Sequence, residues 1–367
     1  MTDINQEKVL SLIVSQLKEY GFYTAAKTIA DAIGISPEPN NKLAEICALN
    51  KFNIQEEQEP VQEEVEVDNG EFDFSNPSVS YQPNYSAIFT TMHKEPVRAC
   101  AFSQDGAYVA TGSHDTSLKV LDAHLIARKT RGDGDEKKVL KTLYDHTGPV
   151  NEVVFHPNGA VLASCAGTLK VTLDDYKIKF FDLQKQNSKR GFRYLSDAYP
   201  VRSISFHPSG EFIISGTDHH AVRLFDIQTM KVFIPSNAAD HHQGAITKVR
   251  YASNGQTFAS CSIDGSIKIY DTVSGRCVNT ISKAHDGASV IGIEFTKSNS
   301  YLLSTGLDGK GKLWDMGSGK VVCTYSGAFQ KFDCAPMTFS YNEEYIIGSD
   351  SSNHTICVWN SRNGTHG

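Results

Sequence analysis

The stretch SIDGSIKIYD, at residues 262–271, places a tight turn in front of a short strand that ends on an aromatic residue and an acid. Asp264 and Gly265 form the turn, because aspartate accepts hydrogen bonds from nearby backbone amides and glycine tolerates positive φ. The residues that follow alternate between apolar and polar, which is typical of a strand with one face in a core. So short a strand needs neighbours, which other parts of the chain must supply.

The same phrase recurs along the chain. Its endings lie 60, 44, 45, 44 and 45 residues apart. They fall at Asp122, Asp182, Asp226, Asp271, Asp315 and Asn360. Before each ending comes an alternating strand such as VRSISF and another such as FIISGT, and a looser fourth strand follows. A fixed period of this length indicates a repeat architecture built from four-stranded units.

A histidine also lies at a constant sequence spacing before the turn and the ending. His242 precedes Asp264 by 22 residues, and Asp271 follows seven residues later. The units that begin at His93 and at His285 repeat this spacing almost unchanged. The pattern resembles the WD-repeat family. The resemblance implies an all-β WD40 propeller, in which blades surround a central channel, with six recognisable repeats where the family ring has seven.

A polar network explains why these residues recur. The turn aspartate can accept hydrogen bonds from the histidine and from backbone amides, and a serine or threonine four residues before it can join. A buried polar group without a partner costs about 1–3 kcal/mol, which favours a complete set. The predicted members of these blade tetrads are His93, Thr111, Asp115, His146, Asp175, His242, Ser260, Asp264, His285, Ser304, Asp308 and Trp314.

The same side chains could suggest a hydrolase triad, but they recur at structural spacing and no G-x-S-x-G elbow accompanies them. Adjacent histidines at 219–220 and 241–242 would point to opposite faces of a strand, so neither pair can chelate a metal as a unit. The sequence therefore predicts no catalytic, cofactor-binding or metal-binding residues, and no enzyme.

Two features depart from the period. Ten residues separate Cys165 from Asp175 where three are expected, so an insertion lies at about 166–172, and His219 takes the place of the turn aspartate in the third repeat.

Ring closure stays open between two alternatives. The segment 86–92 could complete the sixth blade, since propellers often join both chain ends in one blade. Otherwise a seventh repeat is missing.

Residues 1–52 have a different pattern, with apolar residues at helical spacing. So short a segment cannot bury this surface alone, and we expect a homodimerisation module rather than helices docked on the propeller. The predicted contact residues are Val9, Leu10, Ile13, Leu17, Tyr20 and Phe22. Residues 53–86 form an acidic linker with the composition of disorder, and residues 87–367 form the propeller.

Charge and cysteine content limit the class of function. The net charge is −7, but nine acids and no Lys or Arg lie within 54–92, which leaves 35 basic and 33 acidic residues elsewhere. A nearly neutral propeller argues against a strong grip on RNA, and the mixed-charge stretch 124–138 is interpreted as a solvated loop between blades. Eight scattered cysteines without a CxxC pair indicate reduced thiols. Neither a signal peptide nor a membrane-spanning run is expected.

The ordered set of helical module and blade motifs, including KTLYDHTGPV and YLLSTGLDGKGKLWD, resembles the WD-repeat subunits of cleavage stimulation factor. That resemblance implies a nuclear scaffold in messenger-RNA 3′-end cleavage and polyadenylation. Its partners would be the helical-repeat and RNA-binding subunits of that factor, with the RNA polymerase II C-terminal tail as a further candidate. An alternative is a substrate receptor of a ubiquitin ligase. The predicted partner-binding rim comprises Arg98, Arg202, His114, Ile263 and Leu307.

Overall fold

The structure, a computed structural model, describes residues 88–128, 138–167, 176–185, 189–328, 336–352 and 355–364. The predicted dimerisation module at 1–52 and linker at 53–86 lie outside the described residues, as does most of the insertion, at 168–175. No helix in the described ranges is long and apolar enough to cross a membrane.

The first three blades are four-stranded antiparallel sheets, each with its strands in sequence order. Blade 1 contains β1 (Val97–Phe102), β2 (Tyr108–Ser113), β3 (Ser117–Asp122) and β4 (Val139–Tyr144). Blade 2 contains β5 (Val150–Phe155), β6 (Val161–Ala166), β7 (Lys177–Asp182) and β8 (Arg193–Ser196). Blade 3 contains β9 (Val201–Phe206), β10 (Phe212–Thr217), β11 (Arg223–Asp226) and β12 (Val232–Phe233).

Blades 4 and 5 repeat this arrangement, and the sheet of blade 6 has three strands among the described residues. Blade 4 contains β13 (Ile246–Tyr251), β14 (Thr257–Ser262), β15 (Ile267–Asp271) and β16 (Cys277–Ile281). Blade 5 contains β17 (Val290–Phe295), β18 (Tyr301–Gly306), β19 (Gly311–Asp315) and β20 (Val321–Tyr325). Blade 6 contains β21 (Thr338–Phe339), β22 (Tyr345–Asp350) and β23 (Thr355–Asn360). The predicted all-β WD40 propeller is confirmed, with six blades.

Apolar side chains between successive blades form the core. Leu118 and Val120 of blade 1 pack with Val153 and Phe155 of blade 2 in one cluster, and four similar clusters continue to blade 6. Successive residues of a strand point to opposite faces of the sheet, so each blade presents side chains to the neighbours on both of its faces. A single blade has little apolar surface covered by its own strands, so its stability depends on its neighbours.

The innermost strands carry a bulge near their first residues. In blade 1 the register with β2 shifts between Val97 and Ala99, and blades 2, 4 and 5 have the same shift at the same place. A bulge leaves one residue outside the ladder and re-aims its side chain. The residues placed in this way are Arg98, Asn151, Thr247 and Ile291, and Arg202 has the same position in blade 3.

Within the described ranges, blades 1 and 6 do not join in the way that their neighbours do. Residues 88–92 form no strand, and the amine of Lys119 in blade 1 binds the hydroxyl of Thr91 and the carbonyl of Met92. These residues therefore do not supply the closing strand of blade 6. Phe102 of β1 and Ile356 of β23 are 69% and 74% exposed. Among the described residues, no apolar cluster joins the sixth blade to the first.

The basic stretch at 124–138 was expected to connect two blades, and this expectation is wrong. It lies inside blade 1, between β3 and β4. It begins with a short helix, α1 (Ala123–Ala127), which Asp122 caps by accepting the N–H of Leu125 at 2.9 Å. The ending acid of the repeat thus caps the next segment, a role that the spacing alone did not reveal.

Candidate interaction surface

Blade 5 contains the most complete of the predicted polar tetrads. The indole N–H of Trp314 donates to Ser304 Oγ at 2.8 Å, and the same hydroxyl lies 2.8 Å from His285 Nε2. On the other side of the ring, Nδ1 lies 2.9 Å from Asp308 Oδ1. A neutral imidazole that donates from Nδ1 and accepts at Nε2 satisfies both ring nitrogens, the Ser304 hydroxyl and the Trp314 indole, while Asp308 Oδ2 is buried with no hydrogen-bond partner among the described residues.

The Ser–His–Asp order of this chain has the connectivity of a hydrolase triad, but its burial suits structure. Ser304 and His285 are both 0% exposed, so a substrate cannot reach the hydroxyl. The hydroxyl also has a structural partner, the indole of Trp314. Among the described residues no group of three His, Cys, Asp or Glu side chains is arranged to hold a metal ion.

Blade 4 inserts a serine between the histidine and the aspartate. His242 Nε2 lies 2.6 Å from Ser260 Oγ, while Nδ1 lies 2.8 Å from Ser266 Oγ and 3.4 Å from the Asp264 carboxylate. Ser266 in turn donates to Asp264 Oδ1 at 2.6 Å. Blade 1 has the same arrangement, with the corresponding residues His93, Thr111, Ser117 and Asp115.

These contacts shift the pKa values of both partners. Burial lowers the pKa of His242 and of His285, although the neighbouring aspartate opposes the shift in each case. Burial alone would raise the pKa of the Asp264 carboxyl, but the nearby His242 ring, together with hydrogen bonds from Ser266 and the N–H of Gln243, holds that pKa well below its usual range. The folded blade therefore contains a neutral histidine beside an ionised aspartate near neutral pH.

The protonation states give a pH dependence. A histidine with a lowered pKa binds fewer protons folded than unfolded, so it makes stability fall as the pH drops below its unfolded value of about 6.5. His242 and His285 should each remove up to about 1.4 kcal/mol from the free energy of unfolding between pH 7.5 and 5.5. Urea denaturation at both pH values measures this loss, and His285→Gln should reduce it. Equal stability of the unsubstituted protein at both pH values would contradict the assignment.

Blades 2 and 3 depart from the tetrad pattern. His146 lies 2.7 Å from Ser164, but Asp175 lies outside the described residues. In blade 3 the ring of His219 takes the place of the turn carboxylate, because its Nδ1 accepts the N–H of Ala221 at 3.2 Å. Asp218, one residue earlier, forms an ion pair with Arg202.

The predicted rim residues lie at one end of the blades. The amides of His114, Ile263 and Leu307 each donate to a carbonyl just before the inner strand of the same blade. Arg98 and Arg202 occupy the bulge positions that follow those carbonyls. His114 is exposed and Ile263 is 40% exposed. The structure thus places the five residues in two sets of equivalent positions, His114, Ile263 and Leu307 in one and Arg98 and Arg202 in the other, and Arg202 is engaged by Asp218.

Other polar residues link the blades and were not predicted from the sequence. Asn151, at a bulge position, donates to the carbonyl of Val201 in the next blade at 2.8 Å, and Thr247 donates to that of Val290 at 2.5 Å. Both residues are second in the inner strand of their repeat, and this shared position could have been found by aligning the repeats. A larger cluster centres on Glu152, which is 3% exposed and binds Lys248 and Arg250.

Comparison with known families agrees with the fold. The family model "WD domain, G-beta repeat" matches residues 85–122 and 137–182, which cover blade 1 and the first three strands of blade 2. The family model "Vps8 beta-propeller" matches residues 201–330, which cover blades 3 to 5.

Curated proteins give three informative likenesses. The chain is 41% identical over 215 residues to cleavage stimulation factor subunit 50 of Arabidopsis thaliana, a match that covers 58% of this chain and 48% of that protein. It is 27% identical over 205 residues to the target of rapamycin complex subunit wat1 of Schizosaccharomyces pombe, covering 54% and 59%. It is 26% identical over 207 residues to pre-mRNA-processing factor 19 of rice, Oryza sativa subsp. japonica, covering 56% and 35%.

In each case the chain spans less than two thirds of the relative's length. The similarity to subunit 50 exceeds the other two in identity, and it agrees with the resemblance carried by the blade motifs. The chain is therefore a WD40 β-propeller protein that is similar to subunit 50 of cleavage stimulation factor.

Proposed function

We propose that this protein is a non-enzymatic scaffold subunit of the nuclear machinery that cleaves and polyadenylates pre-mRNA. The observation that carries the proposal is the 41% identity over 215 residues to cleavage stimulation factor subunit 50. The buried tetrads support a scaffold, because their polar groups are consumed in holding the blades together. Partners would dock on exposed rim residues such as His114 and Ile263.

Homodimerisation through residues 1–52 belongs to the same proposal. It rests on the apolar helical pattern that includes Ile13 and Leu17, which lies outside the described residues. A dimeric scaffold would present two propellers to its partners. The acidic linker would let the two propellers reach separate sites.

Purification of the tagged protein from nuclear extract tests the function. We expect the other subunits of cleavage stimulation factor to be recovered in stoichiometric amounts. Recovery of cullin or RING components in their place would favour the ubiquitin-ligase alternative and would exclude the processing role.

The rim can be tested in the same purification. Substituting His114→Asp together with Ile263→Asp is expected to reduce recovery of at least one partner more than tenfold, since charge is placed where the partner would contact the ring. Both residues brace the blade through backbone amides, so the fold should tolerate the change. The matched control is Gln184→Asp with Gln228→Asp, two exposed positions at the opposite end of the third strands. Equal recovery from both double variants would exclude this rim.

A further inference from the structure

The groove between blades 3 and 4, on the outer side of the ring, differs from its counterparts between other blades. It has a volume of about 310 Å³ and an apolar floor formed by Val222, Leu224 and Phe258. Phe233 and Ile234 form one wall, and residues 272–276 of the blade 4 turn form the other. This volume lies near the lower end of the roughly 300–1,000 Å³ that binding pockets occupy.

In two other blades, a basic side chain links the outer strand to the turn of the next blade. Lys141 Nζ of β4 donates to the carbonyl of Leu183 at 2.6 Å and to that of Lys185 at 2.8 Å, in blade 2. Arg193 Nη1 of β8 donates to the carbonyl of Ile227 in blade 3 at 2.9 Å. We call this contact the latch. Leu183 and Ile227 are equivalent, since each directly follows the ending acid of its repeat.

Phe233 occupies the latch position of blade 3. Strand register pairs it with Leu224, two residues before the ending acid, just as Lys141 pairs with Val120 and Arg193 with Phe180. Asn279 and Cys323 hold this position in blades 4 and 5. Among the four-stranded blades, only blade 3 therefore has a large apolar side chain there, and it cannot donate a hydrogen bond to the next turn.

The latch acceptors of blade 4 consequently lack a donor. Thr272 is the residue equivalent to Leu183, and no described residue donates to its carbonyl. Its hydroxyl is buried without a hydrogen-bond partner. Asp240, which is 8% exposed, lines the same groove and forms no ion pair among the described residues. Thr272 and Asp240 thus both line a groove in which Arg276, an exposed residue, is the only basic residue of the described lining.

The walls of the groove are apolar in places where the fold does not need them to be. Val273 is 94% exposed in a turn that Asp271 braces through Ser274. The equivalent turn of blade 5 makes the same brace with Gly317 in place of the valine. Phe233 is 50% exposed, and β12 pairs on one side only. An exposed strand edge beside apolar side chains is a surface to which an extended segment can bind.

We propose that this groove binds an extended segment of a partner protein that carries an arginine or lysine next to a bulky apolar residue. The basic side chain takes the latch position, donating to the carbonyl of Thr272 and pairing with Asp240. The apolar side chain packs between Phe233 and Val273. Lys141 and Arg193 show the same chemistry within this chain, where each fills the corresponding place between its own two blades. The proposal goes beyond the scaffold function and does not depend on it.

A random heptapeptide library, displayed on phage and selected on the full-length protein, tests the groove. We expect enriched sequences that contain Arg or Lys beside Leu, Ile, Val or Phe. Synthetic copies should bind saturably, and replacing the basic residue with Gln should weaken binding at least tenfold. Phe233→Lys places a basic side chain of the protein itself in the latch position, so it should abolish binding of the peptides. Val273→Gly, which copies the blade 5 turn, should weaken it several-fold.

Val278→Lys on β16 is the matched control, because Val278 is 61% exposed but does not line the groove, and binding should be unchanged. Circular dichroism and thermal melting verify that each variant is folded. The proposal is overturned if no sequence is enriched, if the enriched sequences lack a basic residue, or if Phe233→Lys binds them as tightly as the unsubstituted protein. None of these outcomes affects recovery of processing subunits, so the two proposals fail separately.

Discussion

Replacing Glu152 with glutamine is expected to lower the free energy of unfolding by about 3 kcal/mol. Glu152 belongs to blade 2, yet its Oε1 accepts Arg250 Nη2 at 2.6 Å and Lys248 Nζ at 2.7 Å, both from blade 4. Its Oε2 accepts the N–H of Ile204 in blade 3 at 2.9 Å. One carboxylate therefore joins three blades, and a neutral amide would leave two cations without their counter-charge.

The size of the loss follows from burial. The side chain of Glu152 is 4% exposed, whereas those of Lys248 and Arg250 are 17% and 28% exposed. Because both cations are partly exposed, they can recover part of their hydration, so the loss should lie at the lower end of the 3–5 kcal/mol measured for broken buried pairs. Burial would raise the pKa of Glu152, but Arg250 and Lys248 lower it to about 2.

Glu294→Gln is the matched control for this substitution. Glu294 lies on the inner strand of blade 5, and burial raises the pKa of its carboxyl. A neutral amide in that place should cost less than about 1 kcal/mol. Urea denaturation near pH 7 compares the two variants. The stabilisation from Glu152 should also shrink as the pH falls from 5 towards 2, because a carboxylate with a lowered pKa loses its contribution as it is protonated. Equal costs for both substitutions would contradict the ion-pair account.

The blades were predictable because their signals are local. The turn Asp264-Gly265 and the alternation that follows it lie within ten residues, and a strand that alternates can place only one set of side chains in the core. Repetition of that phrase indicated six units, but it left open how they meet and whether a seventh completes the ring. The insertion near Cys165 did not disturb the prediction, since β6 and β7 still pair on either side of it.

The partners of Glu152 were not predictable for the opposite reason. Arg250 lies 98 residues away along the chain, two blades further on, and no spacing rule connects the two residues. Their contact arises only when the blades close around the channel. The latch was not predictable for the same reason, since Lys141 and Leu183 belong to different blades. Contacts between repeats depend on the rotation from one blade to the next, which a repeat pattern does not encode.

For the tetrads, the contacts predicted from the sequence differ from the observed contacts only in detail. Spacing indicated that histidine and aspartate would meet, and in blade 5 His285 and Asp308 are 2.9 Å apart. In blade 4 the nitrogen of His242 is 2.8 Å from Ser266 and 3.4 Å from Asp264, so a serine stands between them. The residue two places after the aspartate differs between the two arrangements. It is serine in blades 1 and 4 and lysine in blade 5.

Gly306→Ser in blade 5 is expected to lower the free energy of unfolding by about 3 kcal/mol, although Ser113 and Ser262 hold the same position in blades 1 and 4. A Cβ at Gly306 would lie 2.4 Å from the ring of His285 and 2.5 Å from Asp308 Oδ1. Crowding of this kind costs about 1–3 kcal/mol, and separating His285 from Asp308 also breaks a hydrogen bond to a charged group, worth about 1.5–3 kcal/mol. Thermal and urea denaturation measure the loss.

Ser262→Gly in blade 4 is the matched control. It removes a hydroxyl that accepts the N–H of Asp264 at 3.2 Å and adds backbone freedom to the unfolded chain, which together should cost less than about 1.5 kcal/mol. The crowding account also predicts a rescue. In blade 4 the hydroxyl of Ser266 spans the wider gap between ring and carboxylate. Lys310→Ser added to Gly306→Ser would supply that hydroxyl in blade 5, and it should recover at least about 1 kcal/mol. If the double variant is no more stable than Gly306→Ser alone, the contact between His285 and Asp308 does not explain why blade 5 requires glycine.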